Sequence, residues 1–350
     1  MVREVTLREF RSYRSLELSL EPGVVLLHGP NGAGKTNLLE ALHLGTQGFS
    51  PRTRSDAQMV RFGAEAGRVT VQGSNLEAPF EADVVLAPRE ARRAHLNGDR
   101  LLSAERLRLE LRALVFTPDR LAVVKGSPAT RRAYLDRSLG RLTPAKAQLA
   151  IDYAAAVGQR NACLRRLRSG SSSHAALEPW TEQVASLGAA LVVARKDAVD
   201  ALAEPFANLA AQLGLASATV GYDGEASTVE ELDARLDRDL ERGFTGAGPH
   251  LHDVRLEAGG RELRSFGSQG EQRIAVLALV LAEAETLLVR TGSAPLVLLD
   301  DVLSELDGDR RRALAAIVSG GGQTVITATA AEALPADPAQ ALAVTPGAVR

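Results

Sequence analysis

At 350 residues the chain has room for about two domains, and its 45% hydrophobic content with a mean hydropathy of −0.04 describes an ordinary globular composition rather than a disordered one. A formal net charge of −2 excludes a global attraction to polyanions, so any nucleic-acid contact has to come from a local surface. A single cysteine, Cys163, excludes an internal disulfide and a C-x-x-C metal hook and suits a reducing compartment. The first residues carry no apolar signal core. The longest clean apolar run, Ile274 to Ala282, is too short to span a bilayer. A cytoplasmic location is the expectation.

In chain order, Val5 to Leu7 and Leu16 to Leu20 are expected strands flanking Phe10-Arg11-Ser12-Tyr13. Val24 to Leu27 is a short apolar run that leads into a glycine-rich turn, and Asn37 to Leu42 beyond the turn has helical spacing. Gln47 to Asp56 is polar and contains Pro51, so it is expected to be a loop. Arg68 to Gln72 and Ala82 to Leu86 alternate like sheet strands, Asn97-Gly98 signals a tight hairpin turn, and Leu111 to Phe116 is another expected strand. From about Ser127 the pattern becomes helical, with helices expected over Ala129 to Leu142, Pro144 to Arg168, Glu178 to Leu213 and Val229 to Arg242. Ser169 to Ser173 connects two of them, and Cys163 and Trp180 are expected to pack among them. Strand texture returns after Gly243 to Pro249. The expected division is therefore an α/β domain built from residues 1–126 and 249–350, interrupted by a helical block over 127–248.

The turn reads Gly29-Pro30-Asn31-Gly32-Ala33-Gly34-Lys35-Thr36, followed by Asn37. This is G-x-x-x-x-G-K-[ST] between a strand and a helix, the setting the P-loop requires. Glycines let backbone N–H groups close around phosphates, and the helix start adds partial positive charge. Lys35 would reach the β- and γ-phosphates of ATP, and Thr36 would offer a hydroxyl to Mg²⁺. A second element, Leu296 to Leu299 followed by Asp300 and Asp301, is an apolar strand ending in two carboxylates. Beside a P-loop, Asp300 would hold Mg²⁺ and Asp301 would face the attacking water. Lys35, Asp300 and Asp301 are the candidate catalytic residues, with Thr36 and Asp300 the metal ligands. A third element, Ser268-Gln269-Gly270-Glu271-Gln272, stands about 30 residues before the double Asp at the start of an apolar helix over Ile274 to Val289. Alone it is a common helix cap.

In that position Ser268 to Gln272 resembles the signature motif of ABC-type ATPases, and Ser304-Glu305-Leu306-Asp307 resembles their D-loop, with Ser304 and Asp307 its polar members. That resemblance implies a signature that caps nucleotide held by a second copy, hence an ATP-dependent homodimer that loosens on hydrolysis. Lys35 and Asp300 lie 265 residues apart, wider than in a transporter head, yet the insertion is too short for the coiled coil of SMC or Rad50 proteins. Over essentially its full length the chain resembles the RecF family of bacterial recombination-mediator ATPases. The matching residues include Phe10 to Tyr13, Gly29 to Asn37, Val124 to Pro128, Arg131-Arg132, Leu135-Asp136, Gly248-Pro249-His250, Gly267 to Arg273 and Leu298 to Asp307. The resemblance implies an α/β, ABC-type P-loop ATPase head, with mixed sheets around the P-loop helix and an inserted, mainly helical second lobe. It also implies binding to double-stranded DNA at gaps. With RecO and RecR as partners, such a protein helps put the recombinase onto gapped DNA, in repair, the SOS response and replication recovery. Competing readings are the ATPase subunit of an ABC-type membrane transporter and a structural DNA-binding protein with an inactive nucleotide site.

Two departures from the ABC pattern imply slow turnover, a timer for DNA residence rather than a motor, and the RecF-like reading carries the further expectation that DNA stimulates it. Asp301 stands where most ABC ATPases carry Glu, and no switch His follows the last core strand, where Thr327 or Thr329 stands instead. Arg11 is expected to reach the nucleotide phosphates, and Tyr13 either stacks on adenine or lies in a surface turn. Only four of the 41 basic residues are lysine, so 37 are arginine, and arginine clusters deserve a discount. Within them Arg92, Arg93, Arg131 and Arg132 are the candidate DNA contacts, by phosphate neutralisation with little base readout; solvated helix faces are the plainer alternative. His250 and His252 lack a third metal ligand and are expected to pack in a loop.

Overall fold

The computed structural model describes residues 1–350 as two compact units. Unit 1 comprises Met1–Arg120, Gln212–Gly214 and Val276–Arg350, and unit 2 comprises Leu121–Ala211 and Leu215–Ala275. Unit 1 opens with β1 (Val2–Phe10) and β2 (Tyr13–Ser19), an antiparallel pair closed by Arg11-Ser12. β3 (Val24–His28), helix α1 (Lys35–Gln47) and the single turn α2 (Asp56–Met59) follow. β4 (Gly67–Asn75), β5 (Ala78–Leu86), β6 (Arg93–Leu96) and β7 (Asp99–Leu101) form an antiparallel meander. Asn97 and Gly98 both take positive φ, 52° and 86°, as a two-residue hairpin turn demands. A short helix not foreseen in the sequence, α3 (Glu105–Glu110), precedes β8 (Ala113–Phe116).

Unit 2 contains α4 (Ala122–Lys125), α5 (Pro128–Leu142), α6 (Leu149–Arg168), α7 (Glu178–Gln212), β9 (Ala218–Asp223), α8 (Val229–Asp233), α9 (Leu236–Arg242), β10 (Asp253–Ala258), β11 (Arg261–Glu262) and α10 (Leu263–Phe266). Pro128 occupies the first turn of α5, and the Ser127 side chain accepts the Thr130 N–H there, so the chain enters the helix with one orphan amide satisfied. Cys163, Leu164 and Leu177 form a small apolar cluster against Trp180, as expected. One expected helix is really two, since α8 ends before Ala234 and α9 starts at Leu236. β9 was not expected at all. It pairs antiparallel with β10 from Ala218↔Ala258 to Asp223↔Asp253, and this sheet explains why 249–275 falls in unit 2 rather than with the expected α/β domain.

The chain continues through α11 (Gln269–Thr291) and returns in unit 1 to β12 (Leu296–Leu299), α12 (Gly308–Ser319), β13 (Thr324–Ala328), β14 (Gln340–Thr345) and β15 (Ala348–Val349). These form a second sheet in the order β15-β14-β3-β13-β12-β8, parallel from β14 to β8. β12 and β8 read as unbroken apolar runs and β3 does so up to His28, while β13 is fully buried but carries Thr324 and Thr327, as strands covered on both faces do where a polar group finds a partner. β1 also pairs antiparallel with β4, which joins the opening hairpin and the meander into one sheet in the order β2-β1-β4-β5-β6-β7. Residues of both sheets and of α1 share one core, in which Leu38, Leu42, Val69, Val71, Leu298 and Val325 are fully buried. Burying such a leucine contributes about 2 kcal/mol. The sheet order leaves β13 between β3 and β12 and brings their carboxyl ends to one edge, where ligands of parallel sheets bind.

Several arginines of unit 2 are internal. The Arg160 side chain is 0% exposed and donates to Asp239 (2.8 Å), Thr245 (2.9 Å) and Thr181 (3.1 Å). Arg195 makes a two-pronged pair with Asp136 (2.8 and 2.9 Å) and donates to the Pro249 carbonyl (2.7 Å). His250 bridges Tyr153 (2.8 Å) and the Thr245 carbonyl (3.0 Å), while the His252 ring meets the Tyr222 hydroxyl at 2.9 Å. Both histidines therefore serve in packing.

Replacing Arg160 with Met leaves Asp239 buried and unpaired, and the expected cost is about 3–5 kcal/mol, read as a lower denaturant midpoint. Burial, aided by Arg132 and Arg195, holds both histidines below their ordinary value of 6.5. The folded state then binds fewer protons than the unfolded chain over the window just under 6.5. Their contribution is present above that value and lost as pH falls through the folded values. The melting temperature of wild type is expected to drop between about pH 7.5 and 5.5, and by less in His250→Asn and His252→Asn.

Candidate nucleotide-binding site

The P-loop joins β3 to α1, and its glycines hold backbone geometry other residues resist. Gly34 has φ 112°, and a Cβ there would lie 2.8 Å from the Tyr13 hydroxyl. Gly29 abuts the chain as closely, since its Cβ would lie 2.3 Å from the Val344 carbonyl oxygen. Gly34 is the N-cap of α1 and no side chain caps that end, so first-turn amides stay available to an anion. Pro30, Asn31 and Gly32 form the exposed crest of the loop, and Ala33 is buried beneath it. The Lys35 ammonium folds back over the loop and donates to the carbonyls of Gly29 (2.7 Å) and Pro30 (3.0 Å). Burial lowers its pKa, outweighing the attraction of Asp301 and Asp300.

Asp300 directly follows β12 and is 6% exposed. Its Oδ1 accepts from the Thr36 hydroxyl (3.0 Å) and the Thr327 hydroxyl (2.9 Å). Burial raises the Asp300 pKa and Asp301 adds to it, while the two hydroxyl bonds pull the other way. Asp301 is exposed, at φ 50°, and its N–H donates to Thr327 (2.8 Å). Two hard oxygen donors, from Thr36 and Asp300, thus converge beside an uncapped helix start. That donor set suits Mg²⁺, which prefers one or two protein oxygens plus phosphate, and the loop suits a triphosphate. Ser304 donates to the Asp301 carbonyl (3.0 Å), and Asp307 caps α12 through the Arg310 N–H (2.9 Å).

The β1–β2 turn backs this site in an unforeseen way. Tyr13 is fully buried and donates to the Gly34 carbonyl (3.1 Å), with its phenol pushed up to about 12 by burial. It is neither a surface residue nor a platform for adenine. Arg11 is held in a two-pronged pair with Glu40 (2.8 Å each) and does not extend freely toward phosphates. Asn37 donates to Ser12 (3.1 Å). Glu40, whose side chain is 0% exposed, also accepts from Ser50 (2.5 Å) and Arg52 (3.3 Å). A charged residue inside the run Leu38-Leu39-Glu40-Ala41-Leu42 was the available signal for this buried junction.

Ser268, Gln269 and Gly270 are exposed, and a Cβ on Gly270 would meet nothing nearer than Ser268 Oγ at 4.0 Å. Ser268 and Glu271 form a reciprocal cap, with Ser268 N–H to Glu271 at 2.7 Å and Glu271 N–H to Ser268 at 3.3 Å. Gln272 differs from the other motif residues. It is buried and donates to the carbonyls of Leu263 (2.8 Å) and Gly267 (3.0 Å), which anchors the turn from inside.

The expected DNA-contacting arginines separate by environment. Arg131 is 2% exposed and pairs with Asp253 at 2.7 and 2.6 Å. It forms a structural ion pair rather than the expected DNA contact, because its guanidinium is buried and already satisfied. Arg132 is half-buried and donates to the His252 carbonyl (2.6 Å). Arg92 is half-buried and donates to Asp56 and to the Gly48 carbonyl. Arg93 is exposed, with only Glu90 at 3.5 Å.

A family model described as RecF/RecN/SMC N terminal domain matches residues 1–345. The DNA replication and repair protein RecF of Heliobacterium modesticaldum is 36% identical over 343 residues, which cover 94% of this chain and 92% of that protein. A solved structure of the recombination mediator protein RecF with ATP, in the RecFOR pathway, superimposes with a TM-score of 0.87 at 26% identity, covering 100% of this chain and 96% of that one. A Smc head domain with an extended coiled coil, from Pyrococcus furiosus, shares the fold at TM-score 0.61 and 16% identity over 100% of this chain and 95% of that one. No helix of the chain is long and apolar enough to cross a membrane. Uncapped P-loop helix, Thr36–Asp300 contact and full-length similarity agree, and the chain belongs to the RecF family within the RecF/RecN/SMC ATPases.

Proposed function

We propose that this protein is an ATP-switched, DNA-binding recombination mediator of the cytoplasm that dimerises on ATP and acts at gaps with RecO and RecR. The observation that carries the reading is the Thr36–Asp300 contact beside an uncapped P-loop, with Ser268 and Gly270 left exposed. The amides of Gly32 to Thr36 and the Lys35 ammonium bind the triphosphate, and Lys35 leaves its loop carbonyls to do so. Thr36 and Asp300 hold Mg²⁺, which when bound neutralises charge on the β- and γ-phosphate oxygens. Asp301 orients the attacking water from an arm one methylene shorter than that of Glu. Ser268 and Gly270 of a second copy close the pocket over the γ-phosphate, so each copy holds two incomplete halves. Ser304 and Asp307 line the same junction. Hydrolysis is slow, below the median of about 10 s⁻¹ for enzymes, and DNA stimulates it. Arg11 acts through Glu40 and the P-loop helix.

On DNA, the exposed arginines Arg89, Arg93, Arg100 and Arg106 supply phosphate contacts, with Arg92 and Arg132 at the margin. Readout follows shape rather than base sequence.

Light scattering with and without ATP is expected to show an ATP-dependent dimer for wild type and monomer for Lys35→Met and Ser268→Arg. Wild type that stays monomeric under every condition contradicts the proposal. Reversing Arg93 and Arg100 to Glu is expected to flatten the salt dependence of DNA binding by about 0.9 in log–log slope for each phosphate no longer neutralised; an unchanged slope clears both residues.

A further inference from the structure

The two carboxylates at the end of β12 are tied together by a residue on the neighbouring strand. Thr327 lies on β13, the strand between β3 and β12, paired with Leu27 on one side while its neighbour Ile326 pairs with Leu299 on the other. A threonine hydroxyl has one proton to give and lone pairs to receive, and both capacities are used here. The proton goes to Asp300 Oδ1 (2.9 Å), and the oxygen accepts the Asp301 N–H (2.8 Å). Thr327 is 1% exposed, so water cannot easily take over either bond. Asp301 meanwhile sits at φ 50° without being glycine, a conformation that persists only where surroundings enforce it. Thr329 is exposed beyond the end of β13.

We infer that Thr327 is a positioning residue for the double Asp: one hydroxyl aims the Asp300 carboxylate at Thr36 and pins the left-handed backbone that presents Asp301. The inference rests on the proposed ATPase site and adds to it a single buried group that couples metal-holding and water-orienting carboxylates. It also separates the two threonines that stand in for the missing switch His, giving the role to Thr327 within β13 and none to Thr329 beyond its end. Loss of the hydroxyl would leave the P-loop itself untouched, since no bond of Thr327 goes to Gly29–Lys35.

The test uses the full chain and a fluorescent ATP analogue titrated with Mg²⁺, alongside single-turnover hydrolysis. Thr327→Val keeps the side-chain volume and removes both bonds; Thr327→Ser keeps both. The valine variant is expected to bind nucleotide without Mg²⁺ as wild type does. Its Mg²⁺ midpoint should shift upward about 10–100-fold, the usual effect of losing a group that orients a metal ligand, with turnover falling in parallel. Thr327→Ser and Thr329→Val are expected to track wild type. Should Thr327→Val fail to fold by circular dichroism, Thr327→Ala provides the same comparison with Thr327→Ser. A hydroxyl-less variant that titrates as wild type, a serine variant shifted as far as valine, or a shift in Thr329→Val overturns the inference. Wild type lacking any Mg²⁺-dependent nucleotide binding overturns the parent ATPase site instead, so the two failures are distinct.

Discussion

Asp300 is a carboxylate placed almost out of reach of solvent, and the chemistry of unit 1 depends on how that burial is offset. Burial favours the neutral acid, whereas the Mg²⁺ ligand proposed here must be charged. The hydroxyls of Thr36 and Thr327 supply two donors to a single oxygen of the group, one from the P-loop helix and one from the strand between. The parallel sheet makes this possible, because β3, β13 and β12 end together at one edge. The glycine-rich turn, the double Asp and the threonine are distant in sequence and adjacent only through strand order.

A second buried carboxylate, Glu40, organises the other side of the P-loop helix. It gathers Arg11, Ser50 and Arg52 and so joins the β1–β2 turn and the loop after α1 to the helix that carries Lys35 and Thr36. Stripping such a carboxylate of its partners would leave a buried charge uncompensated, which is strongly destabilising. Unit 2 uses the same device with Arg160–Asp239, Arg131–Asp253 and Arg195–Asp136. In a chain with 37 arginines and four lysines, the planar guanidinium is well suited to satisfying two carboxylate oxygens at once.

What could be read from the sequence follows the range over which each signal acts. The P-loop, the strand before it and the apolar run ending in Asp300-Asp301 are local patterns, and each forms the expected element. A long helix such as α7 has enough turns to show its period. Ala218–Asp223 is only six residues, contains Gly221, and becomes a strand because Asp253–Ala258 pairs with it. Nothing local marks it. The same holds for charge: Arg131 and Arg160 look like surface residues until Asp253 and Asp239, over 75 residues away, are brought against them. Tyr13 looked free to stack on a base, and is instead sealed under Gly34 by the turn that precedes it.

Ser268 and Gly270 are exposed, and the P-loop and its carboxylates come together within unit 1. If an active pocket forms only when a second copy supplies the signature, two inactive variants should rescue each other. Lys35→Met keeps an intact signature, and Ser268→Arg keeps an intact P-loop. Mixed, they form heterodimers in which one of the two pockets is complete. The decisive measurement is ATP hydrolysis by the mixture compared with each variant alone: recovery of activity on mixing is the expected result, and a mixture as inactive as its components, or full activity of Ser268→Arg by itself, would contradict the shared pocket.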